Sequence, residues 1–214
     1  MMQRSFGVVL GTVAVCLFGA VRARAQTINN GSFELPALGA TPFAAVINDW
    51  GGVSGGSAGV SQNVAAGFSV TGGAASGVQY AYLQGANSGI FNNQVNLTAS
   101  TQYTLNYSVA GRLNGGGNTA YQVLLNNSTL LASGSTTTGM AFTNNALSFV
   151  ATTSGLQEIR FVVTGTSGDP NPDQTMLLDL VTIVSNGVVP EPGALALIAL
   201  SLPAGLALRR RRTS

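Results

Sequence analysis

One carboxylate of this chain stands in surroundings that forbid it from behaving as a surface group. Asp179 is flanked by Leu178 and Leu180, with Leu177 and Val181 beyond them. Successive side chains of a strand point to opposite faces, so apolar neighbours on both sides predict burial whichever face Asp179 takes. A buried carboxylate must be hydrogen-bonded, ion-paired, protonated or bound to a cation. Arg112, Arg160 and backbone N–H groups are the partners available to it. A carboxylate pair for glycoside hydrolysis could be drawn from Asp49, Glu158, Asp169 and Asp173. Asp169 and Asp173, however, frame a Pro-Asn-Pro loop that reads as a solvated connection. The chain has no histidine, and its single cysteine is Cys16, near the N-terminus. Ser-His-Asp and Cys-His arrangements are therefore excluded, as is a zinc site built from His or Cys. Gly115-Gly116-Gly117 lacks the lysine and the strand-to-helix setting of a phosphate loop. These residues lead us to expect a protein that is not an enzyme.

The elements that must position these groups are strands. From Gln26 to Gly187 the sequence is rich in Gly, Ser, Thr, Asn and β-branched residues, with short apolar alternations between turn residues. That is the pattern of an all-β antiparallel sandwich. Over 102–110, Tyr103, Leu105, Tyr107 and Val109 alternate with polar residues, which predicts a half-buried strand. Asn126-Asn127 predicts a tight turn between strands at 120–125 and 129–132, because Asn tolerates positive φ. Residues 147–151 and 158–164 read as a second hairpin around Thr153-Ser154-Gly155. Strands are also expected at 78–83, 94–97 and 175–184, and loops or short edge strands over 50–77. Tyr103, Tyr107 and Tyr121 fall on apolar faces and are assigned to the core. Trp50, Tyr80 and Tyr82 lie among Gly, Ser and Gln, and are the candidate exposed aromatics for glycan contact.

The two ends differ in kind from the middle. Residues 1–25 carry a charged start, an apolar run and Ala23-Arg24-Ala25, the features of a secretory signal peptide cleaved after Ala25. Residues 188–214 hold Pro190-Glu191-Pro192, a 16-residue apolar run expected to form a short transmembrane helix, and Arg209, Arg210, Arg211 and Arg212. The apolar run is close to bilayer length, and the arginines orient it with the prolines outside. Seven of the nine arginines sit in these two segments, so the basic pI near 9.0 belongs to them. Residues 26–187, the expected domain, keep two arginines against six acidic residues, a net charge of −4. A nucleic-acid partner is not expected. The domain has no cysteine and must rely on its core alone.

Val189-Pro190-Glu191-Pro192, the apolar run and the terminal arginines together resemble the PEP-CTERM sorting signal of Gram-negative bacteria. That resemblance implies processing by exosortase, a membrane cysteine protease, with Pro190, Glu191 and Pro192 as its recognition residues. It also implies transient anchoring in the inner membrane and a final place on the cell surface or outside the cell. Asn30-Gly31-Ser32-Phe33-Glu34 near the start of the domain and Asp179 in its last strand resemble the jelly-roll, galactose-binding-like sandwiches that include carbohydrate-binding modules. That likeness implies a structural Ca²⁺ shared by Glu34 and Asp179, since hard oxygen ligands suit the ion. The function expected from the whole is structural or adhesive, in contact with exopolysaccharide. The alternatives are a carbohydrate-binding module with a defined glycan site and, behind it, a secreted glycoside hydrolase.

Overall fold

The computed structural model describes residues 24–53, 55–64, 67–114, 117–165 and 173–189. The signal segment through residue 23, Asp169, Pro190, Glu191, Pro192, the apolar run and Arg209 to Arg212 lie outside the described residues. Among the described residues there is no α-helix. Twelve strands follow one another: β1 Arg24–Gln26, β2 Phe43–Ala44, β3 Gly51–Val53, β4 Ser57–Gln62, β5 Gln79–Gln84, β6 Gly89–Leu97, β7 Thr101–Gly111, β8 Thr119–Leu125, β9 Thr129–Thr136, β10 Thr143–Val150, β11 Gly155–Val163 and β12 Thr175–Val188. They form two antiparallel sheets. The larger has the order β10-β7-β12-β5-β4-β2, with β1 also on β12, and the smaller is β3-β6-β11-β8-β9. The expected all-β antiparallel sandwich is the observed architecture.

Alternation explains which face each strand buries. Tyr103, Leu105, Tyr107 and Val109 of β7 and Met176 and Leu178 of β12 point inward from the larger sheet. Tyr121, Val123 and Leu125 of β8 and Ile159, Phe161 and Val163 of β11 meet them from the smaller one. Asn126 and Asn127 turn β8 into β9 with φ of 51° and 55°, as expected from their tolerance of the left-handed region. The second expected hairpin does not exist. β10 pairs with β7, whereas β11 pairs with β6 and β8, so the chain crosses between sheets after Val150. Thr153-Ser154-Gly155 is a corner between layers, and a corner and a hairpin turn share the same residue types.

One irregularity positions the site. β12 is long enough to take two partners on one edge, β5 along Thr175–Leu178 and β1 along Ile183–Ser185. Between them the β7 register shifts at Asp179/Thr182 and Leu180 takes φ 53°. The freed edge is met by the first loop, where Val181 N–H donates to the Gly31 carbonyl at 2.8 Å. A β-carbon on Gly31 would lie 2.1 Å from the Val181 oxygen, so only glycine fits this approach.

Phe161 is fully buried between Trp50 and Tyr107, with ring centroids 6.4 and 5.3 Å away. Phe161→Ala should cost about 3–5 kcal/mol. Urea unfolding would check it, with a fall in midpoint at unchanged slope as the expected result.

Candidate functional site

Asp179 is fully buried, as its apolar neighbours require. Its Oδ2 accepts the Ser76 N–H at 2.8 Å and its Oδ1 accepts the Leu180 N–H at 2.7 Å. Glu34 grips the same covering segment two residues further on: its Oε1 accepts the N–H groups of Val78 and Gln79, both at 2.9 Å. Gly77 lies between the two grips with φ 62°, and a β-carbon there would fall 2.2 Å from the Glu34 Oε1. Glu34 and Asp179, residues from the first loop and the last strand, are thus brought together. Of the partners open to Asp179, the backbone takes the role. Arg112 pairs with Asp173 at 2.6 Å and Arg160 with Glu158 at 2.6 Å.

Burial pushes the Asp179 carboxyl up to about 6, and the nearby Glu34 charge adds to the rise, while the N–H groups of Ser76, Leu180 and Ala75 hold it back. Burial of Asp179 is the main cost to its negative charge, and Glu34 adds to it. A proton or a cation relieves it. No group of three or more His, Cys, Asp or Glu able to hold a metal occurs among the described residues. The remaining ligands of any cation here would have to be carbonyl oxygens or water.

The outer face of the larger sheet surrounds this pair. On one side the 67–78 segment packs Phe68 and Val70 over Tyr80, Tyr82, Ala110 and Leu177, with Phe142 closing the cluster. Phe68 stacks on Tyr82 at 3.9 Å, and Arg112 lies 4.7 Å above the Phe68 ring. Arg112 and Gln84 both bond Asp173. On the other side is a depression of about 290 Å³ lined by Asn106, Tyr107, Ser108, Asn144, Asn145, Ala146, Leu180 and Thr182. Ser108 is the cross-strand partner of Asp179 and Leu180 its chain neighbour.

The exposed aromatic platform is corrected by this packing. Tyr80 is fully buried and donates its hydroxyl to the Phe68 carbonyl at 2.7 Å, and Tyr82 lies beneath the Phe68 ring. Trp50 is 8 % exposed, packs 5.2 Å from Phe33, and donates its indole N–H to the carbonyls of Asn29 and Asn30. Their polar neighbours in sequence belong to the covering loops. Tyr103, Tyr107 and Tyr121 lie in the core, as their alternation requires. Glu158 and Asp173 sit in separate ion pairs, and Asp49 is an exposed turn residue.

A family model described as HpiC1-like, HpiC1 cyclase, matches residues 24–183. The chain belongs to the HpiC1-like family. No curated protein matches it in sequence. Among solved structures it is similar to a Stig cyclase, Fisc, from Fischerella sp. TAU in complex with (3Z)-3-(1-methyl-2-pyrrolidinylidene)-3H-indole. The identity is 18 %, covering 78 % of this chain and 100 % of that one, with TM-score 0.58. A cyclase from Fischerella sp. TAU in complex with 4-(1H-indol-3-yl)butan-2-one gives 18 % identity, the same coverage and TM-score 0.59. An arabinose-bound α-L-arabinofuranosidase, MgGH51, gives 17 % identity over 77 % of this chain and 28 % of that one, with TM-score 0.51. At these identities the likeness is one of fold.

Family membership overturns several expectations. The HpiC1-like match replaces the identity as a PEP-CTERM protein with a carbohydrate-binding-module-like domain. With that identity go exosortase and exopolysaccharide as partners and the structural or adhesive function. A family defined by a cyclase also overturns the expectation of a non-enzyme. The lack of histidine, with cysteine confined to Cys16, removes only triads and His/Cys zinc sites, which do not exhaust the chemistry open to an enzyme.

The Asp179 proton makes a stability prediction. The folded protein holds it more tightly than the unfolded chain, where Asp titrates near 3.8. The resulting stabilisation is complete below that value and is lost as pH rises through about 6. A shift of this size corresponds to about 3 kcal/mol. Urea midpoints in chelator should therefore fall between pH 4 and 7 in wild type and change less over that interval in Asp179→Asn.

Proposed function

We propose that this protein is a cyclase that closes a ring on a compact, indole-bearing substrate by acid assistance, with Asp179 as the proton source. The family match supports the reaction class. The indole ligands held by the two Fischerella cyclases support the substrate class. The observation that carries the reading is the enclosed carboxyl of Asp179, raised to about 6. A general acid is most effective when its pKa lies near the working pH. Protonating an alkene or carbonyl on the substrate side chain makes an electrophilic carbon. The indole ring attacks it to form the new carbon–carbon bond, and loss of the ring proton returns the acid to its starting state.

The substrate would occupy the depression beside Asp179, whose wall includes Ser108 and Leu180. Ser76 covers the carboxyl, so substrate binding would have to part the cover at Gly77, where glycine leaves the backbone free to turn. Glu34 would keep the acid protonated by its charge and hold the other half of the cover. The N-terminal segment ending at Ala25 is proposed as an export signal. Cleavage there would remove two of the three residues of β1 from the edge of β12.

The second reading is a structural Ca²⁺ between Glu34 and Asp179. The like-charge pair favours it, because a cation relieves the same repulsion as a proton. The two oxygens of Asp179 each accept one N–H and keep a second lone pair. An occupied calcium site would hold Asp179 ionised and rule it out as the acid.

Two measurements decide between them. With an indole carrying an unsaturated side chain as substrate, the rate of ring closure should fall as pH rises through about 6. It should also drop by roughly 10²–10⁴ in Asp179→Asn, the usual worth of a positioned acid. An unchanged rate in that variant would reject the assignment. Calorimetry with and without chelator addresses the ion: the acid reading predicts the same melting temperature, and a lower one in chelator would favour calcium.

A further inference from the structure

The two sheets do not join where β9 and β10 form their outer strands. β10 is the outer strand of the larger sheet and β9 that of the smaller, and they do not pair with each other. Between them lies a cleft of about 430 Å³, within the range of small-molecule sites and larger than the depression beside Asp179. Its inner wall is Tyr107 and Tyr121, whose rings meet edge to face at 6.4 Å. Val109, Met140 and Leu147 add apolar surface, and Ser133, Ser135, Thr143 and Asn145 stand among its lining residues. No lining residue is charged.

Two details show that the phenols are held at the cleft by design of the chain. A β-carbon on Gly134 would lie 2.5 Å from the Tyr121 hydroxyl oxygen, so β9 gives up a side chain where that hydroxyl reaches it. Burial raises the pKa of both Tyr107 and Tyr121, and their hydroxyls interact with each other. Both therefore remain neutral across the physiological range.

We propose that this cleft between the open sheet edges is a second binding site, for a neutral, flat aromatic molecule carrying one hydroxyl or carbonyl group. The aromatic part fits the edge-to-face phenols and the aliphatic wall, since rings favour such geometry. The polar group meets the tyrosine hydroxyls or the rim of Ser133, Ser135, Thr143 and Asn145. An ionised ligand of the same shape finds no countercharge in the lining and bears the cost of desolvation alone. The cleft does not include Asp179 or Glu34, and it adjoins the depression beside Asp179, with which it shares Tyr107, Asn145 and Ala146.

The test uses 2-naphthol and 2-naphthoate as probes, titrated by calorimetry into the full chain at neutral pH. The naphthol should bind saturably, and the naphthoate more weakly by roughly tenfold or more. Ala132→Phe, which fills the cleft from β9, should abolish naphthol binding. Tyr121→Phe, which keeps the ring and removes the hydroxyl, should weaken it by about threefold to tenfold. Melting curves of both variants establish that they fold, and the Tyr121→Phe result stands if Ala132→Phe does not. Asp179→Asn should leave naphthol affinity unchanged, which separates this site from the proposed acid. Equal binding of both probes, no binding of naphthol, or full affinity in the filled variant would overturn the proposal.

Discussion

The arrangement depends on two carboxylates, the buried Asp179 and the half-buried Glu34, holding one short stretch of backbone. The N–H groups of Ser76, Val78 and Gln79 have no ladder partners on the outer face of the larger sheet, and Asp179 and Glu34 supply the acceptors. Each bond to a charged acceptor is stronger than an amide–carbonyl bond. Together they clamp the segment that roofs Tyr80 and Tyr82. The same enclosure that strengthens these bonds makes two adjacent negative charges expensive. The cost falls on Asp179, the more deeply enclosed of the two, and burial pushes its carboxyl up to about 6.

That cost arises only because β12 changes partners in mid-strand. A regular strand would have placed β5 or β1 against residues 179–182 and satisfied the edge with ladder bonds. The bulge at Asp179 instead opens room for the Gly31 loop, which delivers Glu34 four residues after Asn30. The fold therefore couples its first loop to its last strand through a defect in the sheet. Bulges commonly re-aim a side chain beside a functional site. Here the re-aimed side chain is the carboxyl that burial pushes above its ordinary range.

Much of this was legible in the sequence. The period-2 pattern of β7, the Asn126-Asn127 turn and the burial of Asp179 each followed from neighbours in the chain. Three things were not. β10 and β11 are separated by a corner whose Thr-Ser-Gly composition matches a hairpin turn, and only the inter-sheet crossing tells them apart. Tyr80 and Tyr82 looked exposed because the 67–78 segment that covers them is rich in Gly, Ala and Ser, and local composition carries no sign of what a loop packs against. The cleft at Tyr107 and Tyr121 arises where two non-adjacent strands fail to meet, and no single stretch of sequence encodes it. The non-enzyme expectation rested on the absence of triad and zinc residues and on carboxylates that read as solvated, and ring closure is a chemistry that those signatures do not report.

If Asp179 is the acid, burial must hold its carboxyl protonated to well above the ordinary aspartate range. The most direct measurement is a carbon NMR titration of the Asp179 side-chain carboxyl in chelator-treated protein. The account predicts a midpoint near 6, well above the ordinary aspartate value of 3.8. A midpoint at or below that ordinary value would contradict it, because the carboxyl would then be ionised throughout the working range and could not serve as the acid.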